Sequence, residues 1–155
     1  MDDQTDRAGV VVLPPLLMLA ALILALTMHY FLPLPVGMRS LTMALGIALV
    51  AVGIGVGVWG RITLLKAGTT VNPLKPTTAI ATGGPFQFTR NPLYVGIMSV
   101  FIGISLAVGT LWGFVVLVPT FLVLHFGVVL REERYLERKS GESYLAYKKS
   151  VRRYL

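Results

Sequence analysis

The sequence predicts an all-α fold: an integral membrane helical bundle with about four transmembrane helices, followed by a C-terminal amphipathic helix. Two observations support this prediction. First, 55% of the 155 residues are hydrophobic and only 14% are charged, whereas about a quarter of the residues in soluble domains are charged. Second, the apolar residues form stretches as long as a bilayer requires. So short a chain cannot bury this surface in a water-soluble core, and we expect lipid to solvate a single domain, residues 1–155.

Four stretches are predicted to span the membrane, at residues 10–32, 41–65, 93–108 and 111–130. A signal peptide is the alternative for the first stretch, but three aspartates precede it and no small-residue cleavage site stands out. The third stretch is short, and only Gly109 and Thr110 separate it from the fourth. We therefore expect the last two spans to form a close antiparallel hairpin.

Charge predicts the orientation of these spans. With four spans, the N-terminus, the polar loop 66–92 and the tail 131–155 lie on one side, which contains nearly all of the basic residues. The opposite side contains only Arg39. By the positive-inside rule both termini are predicted to be cytosolic, and the long loop and the tail can then form one cytosolic site.

The tail is predicted to be a helix on the membrane surface. Tyr144, Tyr147, Val151 and Tyr154 recur at three- and four-residue spacing, which places them on one face of an amphipathic helix. We expect these aromatic side chains to anchor in the membrane interface. Gly141 is the expected break between this helix and a continuation of the fourth span.

Composition excludes several kinds of chemistry. The chain has no cysteine for a thiolate metal site or a nucleophile, and its two histidines are too few for a histidine-rich metal site. We therefore predict no metal. The net charge of +7 would suggest nucleic acid in a soluble protein. In a membrane protein it indicates contact with anionic headgroups, so the predicted partners are membrane lipids and not nucleic acid.

The glycines at positions 53, 55, 57 and 60 superficially resemble a nucleotide-binding fingerprint. That fingerprint requires a preceding strand and a helix N-terminus, whereas these glycines lie inside a predicted span. Close packing between transmembrane helices is the favoured interpretation.

Residues 83–94 form the first candidate site. Their two glycines and two prolines exclude regular helix until Pro92, which suits the first turn of the third span. The exposed amides of that helix start, beside Arg90, are expected to attract a carboxylate or a phosphate. The alternative is a loop at headgroup level with an anchoring arginine, and local chemistry leaves both open.

Glu132 and Glu133 form the second candidate site, because two adjacent carboxylates at a membrane border are costly unless they are paired or functional. His125, inside the fourth span, precedes Glu132 by seven residues and should lie on the same helix face. The alternatives are a solvated helix end with ion pairs to Arg134 and Arg138, and a neutral His125 hydrogen-bonded between helices.

The two candidate sites together resemble the isoprenylcysteine carboxyl methyltransferase family and the related phospholipid methyltransferases. Residues 82–96 contain Gly-Pro-Phe and then Arg-Asn-Pro-Leu-Tyr at the opening of a membrane helix. Residues 132–147 contain Glu-Glu-x-x-Leu and then Gly-x-x-Tyr-x-x-Tyr. The resemblance extends over residues 66–155, and the order and spacing of the motifs agree with the family pattern.

The resemblance implies a methyltransferase that binds S-adenosylmethionine without a Rossmann fold, in a cytosolic pocket between the loop and the final helix. The implied acceptor is small and lipophilic or amphipathic. Catalytic roles are implied for Arg90, Glu132 and Glu133. The cofactor-binding residues implied on the two sides of the pocket are Gly84, Pro85, Arg90, Asn91, Pro92, Leu93, Tyr94, Glu132 and Glu133. His125 is added to this set because of its predicted position above Glu132.

One residue departs from the pattern. Asn91 stands where the isoprenylcysteine enzymes typically have histidine, and an amide cannot titrate, so this position cannot supply a base. A prenylated protein is accordingly weakly supported as acceptor, and a carboxylate, an amine and a thiol all stay open. The alternative functions are a phospholipid N-methyltransferase and a non-catalytic membrane scaffold or lipid-binding protein. The sequence assigns neither the glutamate that contacts the cofactor nor the oligomeric state.

Overall fold

The computed structural model describes residues 8–70 and 76–155, and within these ranges it contains helices and no β-strand. The predicted all-α class is therefore confirmed. A 3₁₀ turn, Gly84–Gln87, precedes the third helix, and a π-helical turn, His125–Val129, joins the fourth helix to the fifth. The α-helices are α1 (Pro14–Phe31), α2 (Arg39–Lys66), α3 (Pro92–Val108), α4 (Trp112–Leu124) and α5 (Leu130–Ser150). Residues 1–7, and 71–75 of the predicted loop, lie outside the described residues.

The long helices agree with a membrane bundle. Three of them are long and apolar enough to cross a bilayer: α1, α2 and the continuous helix that begins at Trp112. The apolar helix α3 has 17 residues, which is slightly short for a hydrocarbon core of about 30 Å. Three of the four expected spans are therefore apolar helices long enough to cross a bilayer, and the remaining one, α3, is apolar but shorter.

Glycine spacing explains why α2 and α3 pack against each other. Gly46, Gly53 and Gly60 are seven residues apart on one face of α2, and all three are buried. A Cβ atom added to Gly53 would lie 2.6 Å from the carbonyl oxygen of Gly96, and one added to Gly103 would lie 2.7 Å from that of Gly46. The two backbones thus touch where any side chain would clash, which supports the helix-packing interpretation of the glycines.

The turn between α3 and α4 is as tight as predicted. Gly109 ends α3 with a φ of 80°, a conformation that glycine adopts without a steric penalty. Arg39, at the start of α2, donates hydrogen bonds to the carbonyl oxygens of Ala107 and Val108. Its positive charge therefore lies at the C-terminal end of α3, where the helix dipole favours a cation.

Gly141 divides α5 into two segments, as predicted, because its φ of 53° and ψ of −128° are not helical. An ion pair between Glu137 and Lys148 joins the two segments. The prediction that the tail tyrosines anchor in lipid is wrong for Tyr144 and Tyr147. Both are buried, in an apolar cluster that also contains Ala81 and Phe86 of the loop before α3, because that loop folds over the apolar face of the second segment.

Candidate functional site

A cavity lies between the loop before α3 and the first segment of α5. Its empty volume is about 860 Å³, which includes the part open to solvent. The last turn of α2, the loop, the first turn of α3 and both segments of α5 contribute to its walls. The two stretches that the sequence singled out therefore meet at one cavity. The predicted site residues among its lining are Arg90, Asn91, Pro92, Leu93, Tyr94, Glu132 and Glu133.

The 3₁₀ turn fixes the course of the loop toward the cavity. Gly84 has a φ of 55°, and a Cβ atom there would lie 2.6 Å from Oγ1 of Thr63 on α2. Phe86 is buried, and its carbonyl oxygen accepts a hydrogen bond of 2.7 Å from the hydroxyl of Tyr147. The loop is thereby held between α2 and α5, so that Arg90 faces the cavity.

The last five residues, 151–155, form a C-terminal strap that lies against the loop before α3. The backbone N–H of Arg90 donates to the carbonyl oxygen of Arg152 at 2.8 Å. The carbonyl oxygen of Arg153 accepts from Thr89 Oγ1 and from Asn91 Nδ2, each at 3.0 Å. Asn91 therefore uses its amide to hold the strap. The helical spacing of Val151 and Tyr154 predicted that the tail helix continues here, whereas α5 ends at Ser150 and Val151 is extended, so the sequence did not predict these contacts.

Glu133 lies between two arginines. Its side chain is only 5% exposed, and its two carboxylate oxygens accept from Nε and Nη2 of Arg153 at 2.9 Å each. Nη2 of Arg90 lies 3.4 Å from the same carboxylate. The hydrogen bonds to Glu133 raise the pKa of the Arg153 guanidinium, so Arg153 stays charged. The ion pairs with Arg134 and Arg138, which belonged to the alternative interpretation, do not form at Glu133, because the strap supplies a closer partner.

The guanidinium of Arg90 is buried but incompletely hydrogen-bonded. Its side chain is 7% exposed, and within the described residues its Nε and Nη1 atoms have no hydrogen-bond partner. A buried guanidinium normally satisfies its donors, because an unpaired buried N–H is energetically costly. Two charged donors that line a cavity without a partner indicate a place for an anionic group.

Glu132 has a different environment from that of Glu133. Its Oε1 atom accepts a hydrogen bond of 2.7 Å from the hydroxyl of Tyr94 on α3. Across residues 8–70 and 76–155, no cationic side chain lies within ion-pair distance of Glu132. Among the described residues, the cavity thus contains an incompletely hydrogen-bonded cation, Arg90, and a carboxylate without a counter-ion, Glu132.

Residues 41–143 match the family model described as phospholipid methyltransferase. This match covers more than half of the chain and includes Arg90, Glu132 and Glu133. The chain belongs to the phospholipid methyltransferase family. The predicted resemblance is thereby confirmed, and membership supports a methyltransferase that works at a membrane. No curated protein and no solved structure gives a significant match to the chain.

Three residues of the predicted methyltransferase site do not line the cavity. Gly84 and Pro85 belong to the 3₁₀ turn that positions the loop. His125 lies in the π-helical turn, where its Nδ1 atom is 2.9 Å from the hydroxyl of Tyr154 on the strap. Burial raises the pKa of Tyr154 to about 12, so its hydroxyl stays protonated.

The π-helical turn explains why His125 and Glu132 diverge. A spacing of seven residues puts two side chains on one face only if the helix between them is regular. Here five of those residues form a π-helix, so His125 points to the strap and Glu132 to Tyr94. In the described ranges, no group of three or more His, Cys, Asp or Glu side chains is arranged to hold a metal ion.

Proposed function

We propose that this protein transfers a methyl group from S-adenosylmethionine to a small lipophilic or amphipathic acceptor at the membrane. The observation that carries the proposal is the charge arrangement of the cavity. Among the described residues, Arg90 has two donors without a partner and the carboxylate of Glu132 has no counter-ion, which suits a ligand with both an anionic and a cationic group. The amino-acid end of S-adenosylmethionine has these two groups.

The residues divide between the two charges of such a ligand. Nε and Nη1 of Arg90 would donate to its carboxylate, since a guanidinium binds a carboxylate with two parallel hydrogen bonds. Glu132 would accept from its ammonium group, while Tyr94 keeps the carboxylate of Glu132 in place. The apolar wall, which includes Leu93 and Leu136, would exclude water from the rest of the ligand.

The chemistry requires little from the chain itself. S-adenosylmethionine supplies a methyl group on a positively charged sulfur, which is already a good electrophile. The protein then needs to hold donor and acceptor in line and to exclude water. In this proposal Arg90 and Glu132 orient the donor, and no side chain of this site forms a covalent bond with it.

We further propose that the whole chain, residues 1–155, is one membrane domain with both termini and the cavity on the cytosolic side. The basic residues of the loop and the tail support this orientation, with Arg39 at the opposite ends of the helices. A lipophilic acceptor would then approach laterally from the bilayer, and the charged donor would approach from the cytosol. Single cysteines at Ser150 and Gly37, in a chain that has none of its own, test the orientation with a membrane-impermeant thiol reagent.

The second candidate function is a phospholipid N-methyltransferase, which the family match specifically favours. The third is a non-catalytic lipid-binding protein with the same architecture. Calorimetric titration of the folded, detergent-solubilised protein with S-adenosylmethionine and with its demethylated product tests the donor site. Saturable binding with a stoichiometry near one supports the proposal, and absence of binding by folded protein removes it.

Methyl incorporation separates the two enzymatic candidates. Membranes that contain the protein are incubated with radiolabelled methyl donor, and the lipids are extracted and fractionated. Label in phosphatidylethanolamine-derived lipids favours the phospholipid enzyme. Label in other lipophilic carboxylates, amines or thiols added as a panel favours the broader proposal.

A further inference from the structure

The C-terminal strap brings a third charged residue to the site. Its backbone holds the loop through the hydrogen bonds to Thr89, Arg90 and Asn91. The ring of Tyr154 packs against Phe121 at a centroid distance of 5.5 Å, so the strap also contacts α4. This placement fixes the guanidinium of Arg153 against Glu133, twenty residues earlier in the chain.

The contacts of Glu133 are unequal. Arg153 binds it through two short, parallel hydrogen bonds, whereas Arg90 approaches it through one nitrogen at 3.4 Å, beyond a good hydrogen-bond distance. Arg153 therefore neutralises Glu133. The carboxylate of Glu133 orients Arg90 but does not occupy all of its hydrogen-bond donors. Among the described residues, the Nε and Nη1 donors of Arg90 have no hydrogen-bond partner, so Glu133 does not occupy them.

We propose that Arg153 is a positioning residue, which occupies Glu133 so that the guanidinium of Arg90 is free to bind the anionic group of the ligand. The inference deepens the proposed function and rests on it. Under this proposal the adjacent glutamates have different roles. Glu133 holds two arginines in place, and Glu132 is the carboxylate that meets the cationic group of the ligand.

The loss of Arg153 should redirect Arg90. Glu133 would then be a buried carboxylate with Arg90 as its one nearby cation among the described residues, and a buried charge without a close partner is strongly unfavourable. Arg90 would turn onto Glu133 and form the bidentate pair itself. The donors that face the ligand would be lost although Arg90 is still present.

The test is a charge-cancelling pair of substitutions at Arg153 and Glu133. The variants are Arg153→Gln and the double variant Arg153→Gln with Glu133→Gln. S-adenosylmethionine and its demethylated product are titrated into each folded, detergent-solubilised protein by calorimetry. We expect Arg153→Gln to weaken binding about tenfold. In metal sites, loss of a residue that orients a ligating side chain lowers the affinity by about ten- to a hundredfold, and this estimate takes the lower end. The double variant should recover most of the affinity, since Arg90 has no carboxylate to turn to.

Arg152→Gln is the matched control. It removes the same charge from the same strap, but the Arg152 side chain is exposed and its contact with the loop is made by the backbone. Its affinity should equal that of the unmodified protein. If Arg153→Gln does not fold, the double variant alone provides the test. Binding of the donor by the folded double variant supports the proposal, and absence of binding by the folded double variant overturns it.

The remaining outcomes separate this inference from the proposed function. If the unmodified protein binds neither S-adenosylmethionine nor its demethylated product, the proposed function is wrong and this inference fails with it. If the unmodified protein and Arg153→Gln bind equally well, only the positioning role is wrong. Weak binding by both the single and the double variant would show that Arg153 merely holds the strap, and would also overturn the positioning role.

Discussion

The α2–α3 interface and the cavity share the helix α3 but are built by opposite means. At the interface, glycine backbones touch without a polar side chain between them, and the contacts repeat every seven residues. At the cavity, three segments far apart in the chain contribute charged and polar groups that pair across long sequence separations. The interface thus depends on shape and the cavity on charge, and the rigid interface positions the first turn of α3 for the cavity.

Gly53→Val is expected to disrupt the α2–α3 interface and to have the largest effect of the substitutions considered. The new side chain would overlap the carbonyl oxygen of Gly96, and such overpacking should destabilise the fold by about 3 kcal/mol. Gly55→Val is the matched control, because nothing lies within 4 Å of a Cβ atom there. Thermal unfolding in detergent, followed by tryptophan fluorescence, should show a large loss for Gly53→Val and little change for Gly55→Val. Equal melting temperatures would contradict the close-packing argument.

Arg90→Ala should damage the cavity without damaging the interface. The loss of charged hydrogen bonds of about 1.5–3 kcal/mol corresponds to a ten- to hundredfold weaker affinity for S-adenosylmethionine. Arg61→Ala, which removes an exposed arginine from α2, should bind the donor normally. Calorimetry gives the affinity and thermal unfolding checks the fold. Unchanged affinity and turnover for Arg90→Ala would show that Arg90 is only a structural partner of Glu133 and does not bind the donor.

Glu132→Gln tests the other charge of the cavity. An amide keeps the hydrogen bond from Tyr94 but cannot compensate a cation, so the affinity for the donor should fall about tenfold. Glu142→Gln makes the same change at an exposed position of α5. The comparison uses the Kd of each variant at one ionic strength. If both variants bind alike, Glu132 does not meet the cationic group of the donor.

Tyr94→Phe should have the smallest effect. It removes one hydroxyl from Glu132, a hydrogen bond of about 1 kcal/mol, and should weaken donor binding by about fivefold. Ser99→Ala also removes a hydroxyl from α3, but Ser99 bonds to the carbonyl oxygen of Val95 within the helix. Its affinity should not change. A decrease for Ser99→Ala as large as that for Tyr94→Phe would point to a general loss of α3 stability.

Local patterns predicted most of the helices and the charged residues of the cavity wall. The boundaries of α2 and α3 agree with the predicted spans to within about two residues, a discrepancy expected at frayed helix ends. The break at Gly141 and the turn at Gly109 were also predictable, because each depends on one residue and its neighbours. Seven of the ten predicted site residues line the cavity, since both motifs lie at helix ends that meet there.

Other features could not be predicted from spacing. The prediction that His125 and Glu132 share a helix face assumes a regular α-helix, and the π-helical turn between them rotates one away from the other. The tail tyrosines have the period of a membrane-surface helix, but a loop some sixty residues earlier covers Tyr147. In both cases the deciding partner is remote in the sequence, so no window of neighbouring residues contains the information.

The sequence by itself determined that the chain is a bundle of apolar helices, and that two motifs lie at helix ends. Composition and the intervals between glycines, prolines and charged residues are properties of the sequence that do not depend on any long-range contact. Only the tertiary structure decided which charge meets which. Glu133 pairs with Arg153 and Glu132 with Tyr94 because three separate segments converge beside the cavity, and a carboxylate binds the nearest well-oriented donor whatever its distance along the chain.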